Sequence, residues 1–214
     1  SPIARIRGLA EVTLTKSQSA DEFQQMAAST IEESDRLLEM INTMLTISRT
    51  EAGVHPDRCA QVDLAAIIDS ACDLFGPLAE DKSIELRKQI HDAAHVYGDQ
   101  RMLQRMAANL IDNAIKYTDA GGLVTIELRR DGAECILLTV TDNGMGIAPE
   151  DQVKIFHRFY RGDQSRSQSG SGLGLSLVQA VARAHGGDVR VESSPQKGTR
   201  FTVTMPAIAI DPKT

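Results

Sequence analysis

The chain has 214 residues, of which 42% are hydrophobic and 4% aromatic, and its formal net charge at pH 7 is -6. This length and apolar content suit one medium domain with a small helical piece, and they exclude a disordered chain. The basic residues are dispersed over an acidic protein, which argues against nucleic acid or an anionic membrane surface as a partner. No apolar run reaches the roughly 20 residues that span a bilayer, so we expect no direct membrane contact.

The cysteines indicate the compartment. Cys59, Cys72 and Cys135 are odd in number and have neither metal-ligand nor redox-motif spacing. Such thiols are typical of reducing surroundings. We therefore expect a cytoplasmic segment.

Two helices are predicted over the first 52 residues. The first follows Ser1 and Pro2 and ends near Lys16, and a longer one begins near Asp21, with Ser19 or Asp21 as its cap. Together they present one wide apolar face that a two-helix hairpin cannot bury alone. We expect residues 1–52 to form a homodimer as half of a four-helix bundle. The alternative is that this face packs on the rest of the same chain.

Residues 53–60 are predicted to be a linker, because Gly53 and Pro56 break the helical pattern. Helices and strands then alternate over 61–208, followed by a tail at 209–214. The fold class is therefore α+β: a helical hairpin, then an α/β sandwich whose mixed sheet is covered by helices on one face. Helices are predicted near 64–80, 99–118, 149–157 and 173–185, and strands near 84–90, 95–97, 122–130, 134–141, 188–193 and 199–205.

Three polar residues share one face of the helix near 99–118. Asn109, Asn113 and Lys116 fall within an arc of about 60° at helical spacing. Amide oxygens suit Mg²⁺, which completes its coordination with phosphate oxygens and water, and a lysine can neutralise a phosphate. A solvated face of an ordinary amphipathic helix is the alternative interpretation.

The stretch TDNGMGI (141–147) directly follows an apolar strand. Asp142 can accept a hydrogen bond from an exocyclic amine such as that of adenine. Gly144 and Gly146 let the backbone pass close to a planar ligand. By itself this pattern is often only a turn.

A second glycine-rich stretch, GSGLGLS (170–176), leads into a predicted helix. Gly170, Gly172 and Gly174 precede an N-terminus whose free N–H groups and positive dipole can bind a phosphate. The spacing is neither that of a P-loop nor that of a dinucleotide fingerprint.

Between these stretches lies KIFHRFYR (154–161). We expect its aromatic residues, Phe156, Phe159 and Tyr160, to anchor the segment. Arg158 and Arg161 are expected to reach a phosphate, because guanidinium groups bind phosphate oxygens strongly.

The order of these stretches, followed by K-G-T-x-F (197–201), resembles the N, G1, F, G2 and G3 boxes of sensor histidine kinases. The resemblance covers about residues 60–205, and residues 1–52 are similar to the dimerisation and phosphotransfer helices of that family. It implies an ATP-binding domain of the Bergerat or GHKL type, with ATP and Mg²⁺ as cofactors. It also implies phosphoryl transfer to a histidine, a response regulator as partner, and a parent protein anchored in the inner membrane.

The resemblance implies a role for each matching residue. Asn109 and Asn113 would serve Mg²⁺ and Lys116 the phosphates, while Arg158 or Arg161 would contact the terminal phosphate. Tyr117 would lie along the nucleotide. The implied pocket further includes Asp142, which would read the adenine amino group, and Gly144, Gly146, Ile147, Gly170, Gly172, Leu173, Gly174, Leu175 and Thr199.

The phosphoaccepting histidine of this family stands in a helical H-E/D-x-x-S/T-P motif, and Ser1-Pro2 resembles the end of that motif. None of His55, His91, His95, His157 and His185 stands in such a motif. We therefore expect the acceptor to be absent from this chain, which would then bind nucleotide without phosphorylating itself. Ser1 is a candidate phosphatase helper by the same resemblance.

Two other functions fit parts of the pattern. A GHKL-type ATPase would carry a water-activating glutamate where this chain has Asn109, and without a general base the attack of water should be slow. A nucleotide-binding or scaffold module without turnover is the other alternative. The complete set of metal, lysine and glycine positions disfavours it.

Overall fold

The computed structural model describes residues 2–15, 19–53, 56–91, 94–162 and 170–208. The chain divides into two compact units, Ser1–Thr46 and Ile47–Thr214. Ser1, with its candidate role, lies outside the described residues, as does the tail from 209 onward. Within the described ranges, no helix is both long enough and apolar enough to cross a membrane.

The first unit contains α1 (Pro2–Thr15) and most of α2 (Ala20–Glu51). A capping box starts α2, because Ser19 Oγ accepts from the N–H of Glu22 at 3.3 Å and the Glu22 carboxylate accepts from the N–H of Ser19 at 2.8 Å. Arg5 donates to the buried Glu33 carboxylate at 2.9 Å. Thr13 contacts Met26. The earlier residue of α1 thus meets the later residue of α2, and the later residue of α1 meets the earlier one. The two helices therefore form an antiparallel hairpin.

An apolar stripe along α2 stays exposed in the single chain. Leu38 is 57% exposed, and Ile31, Ile41 and Leu45 are exposed on the same side of the helix. These side chains are spaced by three, four and seven positions, the pattern of a helix face that packs on another helix.

The second unit adds seven strands and four helices to the end of α2, over the described residues. A 3₁₀ turn at Pro56–Arg58 comes first. The elements that follow are β1 (Ala60–Asp63), α3 (Leu64–Asp81), β2 (Glu85–Ile90), β3 (His95–Gly98), α4 (Gln100–Tyr117), β4 (Leu123–Asp131), β5 (Cys135–Asp142), α5 (Pro149–Gln152), a 3₁₀ turn (Lys154–Phe156), α6 (Gly174–Ala184), β6 (Asp188–Ser193) and β7 (Thr199–Pro206).

Five strands form one mixed sheet in the order β2-β4-β5-β7-β6. The β2–β4 pair is parallel and the other three pairs are antiparallel, which confirms the predicted helical region followed by an α/β domain with a mixed sheet. Alternate residues of the central strands face the core. Ile126, Val140 and Phe201 are buried in register on three adjacent strands, whereas their chain neighbours are mostly half-buried.

Two elements differ from the sequence-based expectation. Residues 60–63 form β1, which pairs antiparallel with β3 in a separate two-stranded sheet; no strand is predicted there, and residue 60 is assigned to the linker. The predicted helix near 149–157 is instead α5 followed by the 3₁₀ turn. A segment this short is not stabilised by its own hydrogen bonds, so its path follows its tertiary contacts.

The helices α4 and α6 are joined at one end by a buried imidazole. Asp99 caps α4, accepting from the N–H groups of Arg101 and Met102 at 2.9 and 3.2 Å. The N–H of Asp99 donates to His185 Nε2 at 3.1 Å, and His185 Nδ1 lies 2.8 Å from the carbonyl of Val181. His185 follows the last residue of α6, so it ties the end of α6 to the start of α4.

Candidate functional site

The predicted metal-binding face of α4 meets the first residue of α6. A Cβ built on Gly174 would lie 2.6 Å from Asn109 Oδ1 and 3.7 Å from Asn113 Nδ2. Asn109 Nδ2 donates to the carbonyl of Arg105 at 2.8 Å, so its oxygen is turned toward Gly174. Among the described residues, the Asn113 amide has no hydrogen-bond partner. The structure thus brings both asparagines together with the second glycine stretch.

Lys116 lies beside the start of the same stretch. A Cβ on Gly170 would lie 2.7 Å from Lys116 Nζ, and Arg161 Nη1 donates to the carbonyl of Gly170 at 3.1 Å. The Lys116 ammonium also lies 5.1 Å above the centre of the Tyr117 ring. In the described part of the chain it has neither a carboxylate partner nor a hydrogen bond. Two cationic side chains therefore converge on Gly170.

The first turn of α6 receives no capping hydrogen bond from the side chain of its cap residue. Leu173 occupies the cap position without donating or accepting through its side chain, and it is fully buried. Ser176 Oγ donates back to the carbonyl of Leu173 at 2.9 Å, while Leu175 is half-buried. Among the residues that the structure describes, the N–H groups of Gly174, Leu175 and Ser176 have no acceptor, and a helix N-terminus of this kind favours an anion.

Gly172 is required by the backbone that precedes α6. Its φ is +72°, and a Cβ there would lie 2.8 Å from the carbonyl carbon of Phe159. The N–H of Phe159 donates to the carbonyl of Gly172 at 2.9 Å. The glycine stretch and the arginine-rich segment are thus held together through their backbones.

Asp142 is buried at the end of β5, with 7% of its surface exposed. Its Oδ1 accepts from the N–H of Gly144 at 2.9 Å and from the N–H of Thr199 at 3.2 Å. Within the described ranges, Oδ2 has no hydrogen-bond partner. Burial raises the pKa of this carboxyl, and the two amide hydrogen bonds offset that effect only in part. One oxygen of this mostly buried carboxylate is therefore left to accept from a ligand.

The loop after β5 is fitted tightly to its neighbours. A Cβ on Gly144 would overlap the carbonyl of Tyr117, and one on Gly146, whose φ is +69°, would overlap the carbonyl of Ser194. The N–H of Ile147 donates to Ser193 Oγ at 2.8 Å. This loop therefore links the end of α4 to the turn between β6 and β7.

Two side chains that the sequence analysis did not select hold this loop. Gln152 Nε2 donates to the carbonyls of Ile147 and Ser193 at 3.2 and 2.8 Å. Ser193 Oγ donates to the carbonyl of Gly198 at 2.8 Å or to Thr199 Oγ1 at 3.0 Å. Neither residue stands in a motif, and nothing in the local pattern marks either one.

The arginine-rich segment is anchored by only two of its three aromatic residues. Phe156 packs edge-on against Phe201, with 6.4 Å between ring centres, and Tyr160 Oη donates to Asp151 at 2.5 Å. Phe159 is instead 53% exposed and has a φ of +63°, so the expectation that it anchors the segment is wrong.

The two arginines point to different places. Arg161 reaches Gly170, as described above. Arg158 forms an ion pair with Glu51, the last residue of α2. Of the two predicted phosphate-contacting arginines, the structure brings only Arg161 to the glycine stretch beside Lys116.

Chemically, the site has two poles. One is the second carboxylate oxygen of Asp142, which suits a planar ligand with an amine. The other contains two amides, the Lys116 ammonium and the N-terminus of α6, which suit phosphates and a hard cation. No cluster of three or more His, Cys, Asp or Glu side chains within the described residues could hold a metal ion.

Two family models match the chain. The model described as "Histidine kinase-, DNA gyrase B-, and HSP90-like ATPase" matches residues 98–209. The model of the "His Kinase A (phospho-acceptor) domain" matches residues 1–53. The first contains every residue of both poles, and the second contains the helical hairpin.

Curated proteins and solved structures that are similar to this chain are also histidine kinases. The sensor-like histidine kinase SenX3 of Mycobacterium tuberculosis is 38% identical over 97% of this chain and 51% of its own length. The structure of the mycobacterial sensor histidine kinase MprB has a TM-score of 0.65 at 32% identity, and the match covers 71% of this chain and all of that one. Full-length ShkA in complex with AMPPNP has a TM-score of 0.75 at 25% identity, over 98% of this chain and 43% of that one. The chain spans about half the length of these curated relatives.

Proposed function

Because this chain belongs to the sensor histidine kinases, we propose that it is a kinase core that binds ATP with Mg²⁺ and transfers the γ-phosphoryl group to a histidine. From there the group would pass to an aspartate of a response regulator. The observation that carries the proposal is the meeting of Asn109 and Asn113 with Gly174 at the uncapped start of α6. ShkA, which matches 98% of this chain, was crystallised with AMPPNP.

The adenine would be read by Asp142. Its Oδ1 is occupied by two backbone N–H groups, so Oδ2 is the oxygen that would accept from the exocyclic amine. The wall of this pocket would be formed by Gly144, Gly146 and Ile147. Neighbouring carbonyls leave no room for a Cβ at either glycine, so the backbone itself would face the ligand. Thr199 would support it through its N–H and its contact with Ser193.

The phosphates would lie at the other pole. The N–H groups at the start of α6, with Gly170, Gly172, Leu173, Gly174 and Leu175 around them, provide donors of the type that bind phosphate oxygens. Lys116 would neutralise phosphate charge, and Tyr117, whose ring the ammonium approaches, would lie along the nucleotide.

The Asn109 and Asn113 oxygens fit a Mg²⁺ ion that also contacts phosphate. Amide oxygens are hard ligands, and Mg²⁺ usually takes few ligands from the protein. When bound, the ion would compensate the charge of the phosphate oxygens. Asn109 Oδ1 is already turned to the helix N-terminus where those oxygens would lie.

Arg161 is the better of the two arginines for the terminal phosphate. It already donates to Gly170, where Lys116 also lies, whereas Arg158 is paired with Glu51. Lys116 and Arg161 would then stabilise the charge of the transferred group, which is most of what a protein contributes to phosphoryl transfer.

The alternative functions predict different chemistry. A GHKL-type ATPase needs a base that activates water, and the amide of Asn109 cannot take a proton in that way. A scaffold module needs neither a lysine beside Gly170 nor a glycine-rich helix N-terminus next to two asparagines. Both features therefore favour the kinase.

The remaining assignments are part of the same proposal. We keep residues 1–52 as the dimerisation and phosphotransfer helices, 53–60 as a linker and 61–208 as the ATP-binding domain. The partners would be a second copy, through the exposed stripe of α2, and a response regulator. The segment would be cytoplasmic, in a parent protein anchored in the inner membrane.

A labelled-phosphate assay tests the proposal. The chain is incubated with γ-labelled ATP and Mg²⁺ beside a second polypeptide that carries the helical histidine motif and Asn113→Ala. Acid-labile label on the second polypeptide is the expected result. Rapid release of inorganic phosphate without labelled protein would favour the ATPase, and nucleotide binding without either product would favour the scaffold.

An asparagine variant tests the metal assignment in a nucleotide-binding titration. Asn113→Ala in the chain itself should weaken binding of ATP with Mg²⁺ much more than binding of ATP with EDTA, because only the first uses the amide oxygen. Gln104→Ala, an exposed amide on α4, is the control. Equal binding by wild type and Asn113→Ala in Mg²⁺ would overturn the assignment.

A further inference from the structure

The last turn of α4 carries Lys116 and Tyr117, and all its carbonyls have donors. The last four carbonyls of a helix lack partners within it. Here Thr118 Oγ1 donates to the carbonyl of Ala114 at 2.7 Å. The N–H of Met145 donates to the carbonyl of Tyr117 at 3.2 Å. The carbonyls of Ile115, Lys116 and Thr118 remain.

One side chain from outside the helix satisfies these three. Lys82 Nζ donates to the carbonyls of Ile115, Lys116 and Thr118 at 2.7, 3.1 and 2.9 Å. An ammonium has three N–H donors, so each donor of Lys82 has an acceptor at the end of α4. Lys82 is the residue that follows the last residue of α3, and it therefore ties two helices together.

The charge of Lys82 suits this position. The C-terminal end of a helix bears partial negative charge, and a cation there is stabilising. Lys82 is half-buried, so its interaction with the carbonyls is screened by solvent less than that of an exposed lysine. The arrangement holds the last turn of α4 at a defined position.

That turn connects directly to both poles of the site. Lys116 projects from it toward Gly170. The carbonyl of Tyr117, in the same turn, lies so close to Gly144 that a Cβ on Gly144 would not fit. The N–H of Gly144 donates to the Asp142 carboxylate. Displacement of the turn would therefore move the phosphate-binding ammonium and the loop that follows Asp142 together.

We propose that Lys82 is a positioning residue for the nucleotide site, which through three hydrogen bonds to the end of α4 sets where Lys116 and Tyr117 stand. The inference rests on the proposed nucleotide binding. It assigns Lys82 no contact with the ligand, so its effect is transmitted through backbone carbonyls.

The test compares wild type with Lys82→Met, which keeps the length of the side chain but has no donor. Affinity for Mg²⁺-ATP should fall on the order of tenfold, by analogy with the loss of metal affinity when hydrogen-bond partners of metal-binding side chains are removed. Amide hydrogen exchange should accelerate at residues 115–118 and stay slow in the middle of α4. Lys82→Arg, which keeps charge and donors, should recover part of both.

Two controls separate positioning from general stability. Lys88→Met removes an exposed lysine that pairs with Asp69 and should leave ATP affinity unchanged. Ile68→Val shortens a buried side chain of α3, so it should lower the free energy of unfolding without changing ATP affinity at a temperature where it stays folded.

The outcomes distinguish the two proposals. If Lys82→Met binds Mg²⁺-ATP as tightly as wild type, or loses no more affinity than Ile68→Val, the positioning role of Lys82 is wrong and the proposed nucleotide site is unaffected. If Lys82→Met does not fold, Lys82→Arg decides: accelerated exchange at 115–118 with unchanged affinity would overturn the role. A wild-type chain that does not bind Mg²⁺-ATP would overturn both proposals.

Discussion

Gly174 lies against the side chain of Asn109, so that a Cβ at position 174 would come within 2.6 Å of Oδ1. These residues are far apart in the chain, on α6 and α4. Their contact brings the two asparagines to the N-terminus of α6 and makes the start of that helix a place where only glycine fits without displacing a proposed ligand.

Gly174→Ala should therefore weaken Mg²⁺-ATP binding. The added methyl must push the Asn109 amide away, and overpacking of this kind costs about 1–3 kcal/mol, so we expect a loss on the order of tenfold or more in affinity. Titration with a fluorescent ATP analogue measures it. Gly76→Ala is the matched control, because its Cβ would meet nothing within 4 Å; equal affinities of the two variants would contradict the prediction.

Asp142→Asn should abolish recognition of adenine without lowering stability at neutral pH. Burial raises the pKa of Asp142 above its usual value of 3.8, so the folded state favours the neutral acid. The wild type then loses stability as pH rises from about the usual value through the raised one, and the loss is complete above it. Asparagine does not ionise, and its oxygen can still accept from Gly144 and Thr199.

Urea unfolding at a series of pH values checks this prediction, together with ATP titration at pH 7. The stability of Asp142→Asn relative to wild type should increase from acid to neutral pH, while its ATP affinity should be much weaker. Asp188→Asn changes an exposed carboxylate that pairs with Arg183 and should change neither quantity. A variant that binds ATP like wild type would contradict the role of Asp142.

Arg161→Ala should reduce the preference for ATP over ADP, whereas Arg158→Ala should not. A hydrogen bond between charged groups contributes about 1.5–3 kcal/mol, so the ratio of the two affinities should change on the order of tenfold in Arg161→Ala. The pair that Arg158 forms with Glu51 is solvent-exposed, and such pairs contribute about 1 kcal/mol or less. Competition titrations with both nucleotides provide the measurement, and the reverse result would assign the terminal phosphate to Arg158.

Leu38→Glu should convert a dimer into a monomer. Leu38 is 57% exposed in the single chain and lies in the apolar stripe of α2, so a second copy would bury it, and a carboxylate there would be buried without a partner. Light scattering at high micromolar concentration measures the mass. Gln25→Glu places a charge on the opposite side of α2 and should leave the dimer intact; a monomeric wild type would count against the dimer itself.

Much of the fold follows from local pattern. The apolar spacing that predicts helices near 64–80, 99–118 and 173–185 corresponds to α3, α4 and α6 within a few residues, because a helix buries one face wherever it packs. The pattern failed at β1, which exists only through pairing with β3. It also failed near 149–157, where Phe156 contacts Phe201 on β7 and the path depends on that contact.

The sequence by itself determined the family and the residue types of the site, because the motifs occur in order and each of them is local. Tertiary structure alone decided that Arg161 rather than Arg158 reaches Gly170, and that Lys82 satisfies the end of α4. Neither relation has a sequence signal, since an arginine or a lysine at a given spacing says nothing about which distant carbonyl or carboxylate it meets. Those partners are set by how α3, α4, α6 and the sheet pack together, and packing depends on the whole chain.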